Sequence, residues 1–206
     1  VRGSLFKPAF VNHSLIFSPC LKLSLLLHRC KIPFSLKSKL IFSSYKKLIC
    51  LDAKSGKLVK KFGNNGSVKL KRPSITSPAV FKDNVIITTS EPSVEVYNLN
   101  NGKLLWKFLL MKKETKLRGI KKHDYSGGNP WGGFSLDKER GIAYITTGNA
   151  GRYFNGVNRP GKNNYANSII ALDLNKKKKL WDFQEVRHDI WNLDIPAPPI
   201  LGSATK

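Results

Sequence analysis

The sequence predicts an all-β protein assembled from stacked repeats of one strand–turn–strand unit, and two observations carry that prediction. From about residue 48 onward, short β-branched runs are punctuated by Gly, Asn and Asp, the pattern of strands joined by tight turns. Within that region one segment occurs three times, at residues 49–60 (ICLDAKSGKLVK), 95–106 (EVYNLNNGKLLW) and 170–181 (IALDLNKKKKLW). Its shared form is a strand, Asp or Asn, a turn with Gly, then Lys, then a strand carrying Trp. Asp52 and Asn98 are 46 residues apart, and Asn98 and Asp173 are 75 apart, which is one unit plus an insertion of about thirty. A period in the forties with several strands per unit is the signature of propeller blades. A single hairpin cannot bury its own face, so the units must stack.

The elements follow in chain order. Residues 1–46 are rich in Ser, Leu, Lys and Phe, hold no acidic residue, and carry neither alternation nor turn signals. They are set apart as an atypical N-terminal segment, disordered or aberrant, ahead of a partial propeller over 47–206. The chain begins with Val, so its natural N-terminus is expected to lie upstream, and no signal peptide is recognisable. In the repeat at 49–60, Asp52 caps the turn through its side-chain oxygen and Gly56 supplies the positive φ of a tight turn, but Lys60 stands where Trp is expected. Residues 79–81 and 85–89 read as a hairpin around Asp83-Asn84. Residues 95–106 form the second repeat, with Trp106 a wedge between neighbouring blades. Residues 134–136 and 142–147 read as a hairpin around 137–141. Residues 170–181 form the third repeat, with Trp181 as the second wedge and Lys177 in place of Gly. A crowded stretch of acidic, aromatic and imidazole side chains then runs from 180 to a Pro-rich stop at 199.

Composition narrows the function classes. The 36 Lys and Arg against 13 Asp and Glu give a formal charge of +23, which favours anionic partners. The lysines are scattered, however, with one run of four at 176–179, and no nucleic-acid-binding motif accompanies them, so a nucleic-acid partner is not expected. Cys20, Cys30 and Cys50 are an odd count without CxxC spacing, and support neither a disulfide framework nor a zinc site. No apolar run approaches a membrane span.

The repeats resemble the tryptophan-docking motif of the PQQ-dependent dehydrogenases, which are eight-bladed propellers. The likeness continues in family order through Phe-Gly-Asn-Asn-Gly at 62–66, Ser-Pro-Ala-Val at 77–80, Asn-Pro-Trp-Gly at 129–132, Thr-Gly-Asn at 147–149, Tyr-Ala-Asn-Ser-Ile-Ile-Ala-Leu-Asp at 165–173 and His-Asp-Ile-Trp-Asn-Leu-Asp at 188–194. It covers roughly residues 48–202, about three blades of eight. The resemblance implies an alcohol or sugar dehydrogenase using PQQ with Ca²⁺ or a lanthanide. It further implies a periplasmic active site, soluble or membrane-associated, and a cytochrome or membrane quinone as electron acceptor. It also places residues: Trp131 as the indole on which the quinone lies, Gly132 beside it allowing close approach, Asn149 as a neutral metal ligand, and Glu91 as a further candidate metal ligand.

One position departs from the pattern. Where the family carries the aspartate proposed as catalytic base, this chain has Asn192, and an amide does not accept a proton at neutral pH. Asp194, two residues on, is the candidate substitute, either as base or as metal ligand. Asp189 and His188 are the other candidates, though their expected job is structural, anchoring the loop by hydrogen bonds. The reading therefore has two branches: a variant dehydrogenase, or a propeller without the chemistry that serves as a binding or assembly scaffold.

Overall fold

A computed structural model describes residues 39–111, 127–151, 154–157, 159 and 161–202. Among these residues it shows strands, turns and no helix. Eleven strands form three antiparallel sheets, each a meander of chain neighbours. The first sheet holds β1 (Lys39–Ser44), β2 (Lys47–Asp52) and β3 (Ser67–Lys69). The second holds β4 (Ala79–Phe81), β5 (Asn84–Thr89), β6 (Ser93–Asn98) and β7 (Leu104–Leu109). The third holds β8 (Phe134–Asp137), β9 (Ile142–Thr146), β10 (Ser168–Asp173) and β11 (Lys178–Gln184). Both hairpins and the second and third repeats appear where the sequence placed them.

Two places differ from expectation. β1 lies inside the segment set apart by composition, and pairs with β2 from Lys39↔Asp52 to Ser44↔Lys47 around a turn with Tyr45 at φ 50°. The expected boundary at 46/47 therefore cuts a hairpin. Lys-Leu-Ile-Phe-Ser-Ser buries Ile41 and Phe42 against the sheet, and no glycine marks its turn. Residues 1–38 lie outside the described residues. In the first repeat, the segment after the turn makes a single bridge, Leu51↔Leu58, and β3 takes the edge beside β2 instead. Without a Trp at position 60, that segment lacks the wide apolar side chain that holds β7 in the second sheet.

The turn chemistry is as expected. One carboxylate or amide oxygen accepts two backbone amides at each repeat: Asp52 Oδ1 from Lys54 and Ser55, Asn98 Oδ1 from Asn100 and Asn101, and Asp173 Oδ1 from Asn175 and Lys176. The left-handed residue of each turn is Gly56 (φ 67°), Gly102 (φ 72°) and Lys177 (φ 55°). The third turn thus keeps the backbone of its glycine-bearing relatives while carrying a Cβ. A left-handed non-glycine residue costs roughly 1–2 kcal/mol, so Lys177→Gly is expected to stabilise the fold by about 1 kcal/mol, partly offset by the greater freedom of glycine in the unfolded chain. Urea unfolding of the two proteins measures it.

Period-2 alternation makes the second sheet the middle layer. Val85, Ile87, Tyr97 and Leu99 face the first sheet and pack with Ile41, Leu48, Cys50 and Leu70. Ile86, Val94 and Val96 face the third sheet and pack with Ala143, Ile145, Ile170 and Leu172. Trp106, opposite Val96, lies against this second cluster, between the sheets as expected. Trp181 occupies the matching position on the far face of the third sheet, opposite Ala171, where its ring centroid is 5.8 Å from that of Tyr144. Cys50 is a buried free thiol whose pKa burial pushes up to about 11, so it behaves as a small apolar side chain. Cys20 and Cys30 fall outside the described residues. Among those residues no helix is long and apolar enough to cross a membrane.

Candidate functional site

The site is built where the β9–β10 connection leaves the sheet. Thr147 is fully buried; its hydroxyl donates to the Tyr165 carbonyl and accepts the Ser168 amide at 3.0 Å, which pins both ends of the connection. Residues 127–129 run alongside 148–150. The Gly127–Ala150 bridge, the Gly128 amide on the Asn149 carbonyl (2.6 Å) and the Gly148 amide on the Asn129 carbonyl (3.1 Å) join them. Pro130 follows, and the chain delivers Trp131 beside Gly148.

Asp194 closes this arrangement. One carboxylate oxygen accepts the Asn149 amide (2.5 Å) and the other accepts Trp131 Nε1 (3.3 Å). A Cβ on Gly148 would sit 2.5 Å from Asp194 Oδ1 and 3.0 Å from Trp131 Nε1, so only glycine fits between them. The sequence singled out Trp131, Asn149 and Asp194 separately, and the structure brings them together. Trp131 keeps 45% of its surface exposed while its Nε1 is held, so a flat indole is presented in a fixed orientation. Gly132 lies against the chain's own tail. A Cβ there would meet the Ile195 carbonyl oxygen at 2.7 Å, so this glycine makes room for the chain's own residues 195–196. The Pro-rich tail then continues along the start of β8, where the Ser135 hydroxyl donates to the Pro199 carbonyl.

Residues 188–194 form a tight loop. Asp189 is buried and accepts the amides of Trp191 (2.8 Å) and Leu193 (2.7 Å), and Nδ2 of Asn167 (3.0 Å). The Arg159 guanidinium, buried between strands and loop, donates to the Asp189 carbonyl and to Asn163 Oδ1. Burial holds the Arg159 pKa below the ordinary arginine value, and the charge of Asp189 opposes that shift. His188 Nδ1 lies 2.9 Å from the Gly161 carbonyl. His188 and Asp189 thus anchor the loop, as expected, and Asn192 sits within it at φ 59°.

Glu91 stands apart from this group. It lies in the β5–β6 turn, the counterpart in its own sheet of the connection that carries Asn149. Its carboxylate is bound by Lys107 Nζ at 2.7 Å, and Lys107 also reaches Glu95 at 3.2 Å. The Lys107 hydrogen bond holds the Glu91 carboxyl below the usual glutamate range. A depressed folded value means that the pair's contribution is present above the unfolded glutamate pKa and fades as pH falls through the folded one. Glu91→Gln is therefore expected to lower stability by roughly 0.2–1 kcal/mol at neutral pH. The deficit should vanish in acid, well below about pH 4.3, when thermal melts of both proteins are compared across pH.

Do these residues fit a planar cofactor with a hard cation? Two buried side-chain oxygens, Asn129 Oδ1 and Asn192 Oδ1, have no hydrogen-bond partner among the described residues. Buried acceptors are ordinarily satisfied, and neutral oxygens are the ligands that Ca²⁺ and similar ions take. Among the described residues no three His, Cys, Asp or Glu gather closely enough to hold an ion by themselves. A cation here would draw on amide oxygens, on Asp194 and on the cofactor itself. With the exposed indole of Trp131 alongside, the residues present fit such a pair. Asn129, Asn167 and Arg159 were given no role by sequence reasoning. Asn129 and Asn167 lie inside the quoted motifs at 129–132 and 165–173, but only the folded contacts show what they hold.

The PQQ family model, described as the glucose/ethanol/alcohol dehydrogenase beta-propeller domain, matches residues 34–206. The chain is 30% identical over 182 residues to the quinoprotein glucose dehydrogenase of Escherichia coli, a match covering 77% of this chain and 23% of that protein. It is 29% identical over 178 residues to the glycerol dehydrogenase large subunit of Gluconobacter oxydans, covering 75% and 24%. Among solved structures, the quinohemoprotein alcohol dehydrogenase of Comamonas testosteroni superposes with a TM-score of 0.61 at 22% identity, over 78% of this chain and 28% of that one, which supports the fold. The chain therefore spans about a quarter of the length of these relatives, and its three sheets are partial propeller content. By the family match over most of its length, this chain belongs to the PQQ-type glucose/ethanol/alcohol dehydrogenase β-propeller family.

Proposed function

We propose that the full protein is a quinoprotein dehydrogenase that oxidises an alcohol or an aldose, using PQQ together with Ca²⁺ or a lanthanide. Its active site would lie in the periplasm and pass electrons to a cytochrome or a membrane quinone. The observation that carries this reading is the joining of Trp131 and Asn149 through the single carboxylate of Asp194. A platform indole and a neutral oxygen ligand held in one register is an arrangement that a scaffold has no need to keep.

When bound, PQQ supplies a two-electron acceptor and the cation polarises it. This chain's residues do the rest. Trp131 offers an apolar face to a planar ring. Asn149 and Asp194 are the proposed cation ligands, with Glu91 a further candidate that must first leave Lys107. Oxidation of an alcohol also requires a base for the hydroxyl proton. Asn192 holds the usual position of that base and cannot act as one. Asp194, two residues along, is the proposed substitute; its bond to Trp131, at 3.3 Å, is the looser of its two and leaves that oxygen the freer to accept a proton.

A second reading is favoured by the amide of Asn192: a propeller that has lost the chemistry and acts as a binding or assembly scaffold. Full-length protein reconstituted with PQQ and Ca²⁺ or a lanthanide separates the two when dye reduction is followed with alcohols and aldoses. Turnover supports the dehydrogenase, stoichiometric cofactor binding without turnover supports the inactive propeller, and failure to bind sinks the dehydrogenase reading.

A further inference from the structure

Asn192 has a left-handed backbone, yet its side-chain oxygen makes no hydrogen bond among the described residues, so its own carbonyl does not hold that conformation. The two amides that flank it are both held by Asp189: that of Trp191 at 2.8 Å and that of Leu193 at 2.7 Å. Two acceptors on one carboxylate, reaching two and four residues ahead, leave residue 192 little freedom. Asp189 is only 3% exposed, and its position is itself set by neighbours. Asn167 Nδ2 donates to Asp189 Oδ2 at 3.0 Å and to the Leu193 carbonyl at 2.7 Å, and the Arg159 guanidinium donates to the Asp189 carbonyl. The Asn167 amide is bonded to the Gly148 carbonyl at 3.0 Å. Asn167 therefore ties the loop to the strand end that presents Asn149.

We infer that Asp189 is a positioning residue, which fixes position 192 relative to Asn149 by bonding the amides on either side of it, with Asn167 as the link between loop and strand. The catalytic consequence rests on the dehydrogenase reading, whereas the geometric one does not. On this account the loop stays in place whatever side chain residue 192 carries, and a carboxylate restored there arrives already oriented.

The test uses the full-length protein and two variants, Asp189→Asn, which keeps one acceptor oxygen, and Asn167→Ala. Amide hydrogen exchange is the readout that does not need activity. Each variant is expected to speed exchange at Trp191 and Leu193 at least tenfold while Ile170 and Leu172, in β10, change less than twofold. In an Asn192→Asp background loaded with PQQ and Ca²⁺, Asp189→Asn is expected to lower kcat at least tenfold with KM within threefold. Unchanged exchange at Trp191 and Leu193 overturns the inference. So does faster exchange spread through β10, which would make Asp189 a support of the sheet and not of the loop. A loosened loop in a protein that shows no turnover even as Asn192→Asp upholds the positioning role and sinks the dehydrogenase reading alone.

Discussion

Asn192→Asp is expected to raise the turnover of the PQQ- and cation-loaded full-length protein by about two to four orders of magnitude, the usual range for a correctly placed general base. The substitution is nearly isosteric, and both residues tolerate the left-handed backbone found there at φ 59°. The Asn192 oxygen is buried without a hydrogen-bond donor among the described residues. A carboxylate at that point carries an uncompensated charge unless a cation lies beside it, a penalty of about 1–3 kcal/mol or more. The variant should therefore be less stable than the parent without metal and recover the difference when Ca²⁺ or a lanthanide is added. Parallel measurements of kcat and melting temperature, with and without the ion, check both halves. Unchanged turnover in a variant that binds PQQ stoichiometrically would show that the residue at 192 does not limit the reaction.

Asp194→Ala has the next largest expected effect. It strips the acceptor from two groups at once, the Asn149 amide and the Trp131 indole N–H. An unsatisfied buried donor costs about 1–3 kcal/mol. The indole is half exposed and can turn to water, so most of that loss falls on the amide. Stability should drop by this amount, and PQQ affinity should fall as well because the platform loses its fixed orientation. Asp194→Asn keeps one good acceptor and should lie between the two. The pair also tests whether Asp194 is the substitute base. If it is, residual turnover of the parent disappears in both variants. If it only clamps, Asp194→Asn keeps most of it. Denaturant unfolding, a PQQ titration and kcat on the same three proteins give the answer.

Much of the fold is legible in the sequence because its turns are written in local chemistry. Asp52, Asn98 and Asp173 each cap two amides across a few residues, so the signal and the structure share one short window. Lys177 shows the limit of that logic. Its turn survives without glycine because the cap from Asp173 and the pairing of β10 with β11 determine the backbone there. β1 was illegible for the opposite reason: its strand is defined by pairing with β2 and burial of Ile41 and Phe42, and no turn residue announces it.

The site divides in the same way. Trp131, Asn149 and Asp194 were nameable one by one from motifs far apart in the chain. Their joining was not, since it depends on the alignment of residues 127–129 with 148–150 and on Gly148 leaving space for a carboxylate. The packing of Gly132 against residues 195–196 is likewise a contact that spacing does not announce. The buried Arg159–Asp189–Asn167 group had no sequence signal beyond single polar residues in a loop, because a network is a property of contacts and not of spacing.

On the proposed function, Trp131, held by Asp194, is the platform of a PQQ site. Titration of the full-length protein with PQQ in the presence of Ca²⁺, followed by quenching of its tryptophan fluorescence, tests it most directly. Saturable quenching at one PQQ per chain is expected. Trp131→Ala is expected to weaken binding by about tenfold or more, some 1.4 kcal/mol, whereas Trp106→Phe, at the interface between the second and third sheets, leaves it unchanged. Absence of saturable binding by the folded protein, or equal affinity in Trp131→Ala, would contradict it.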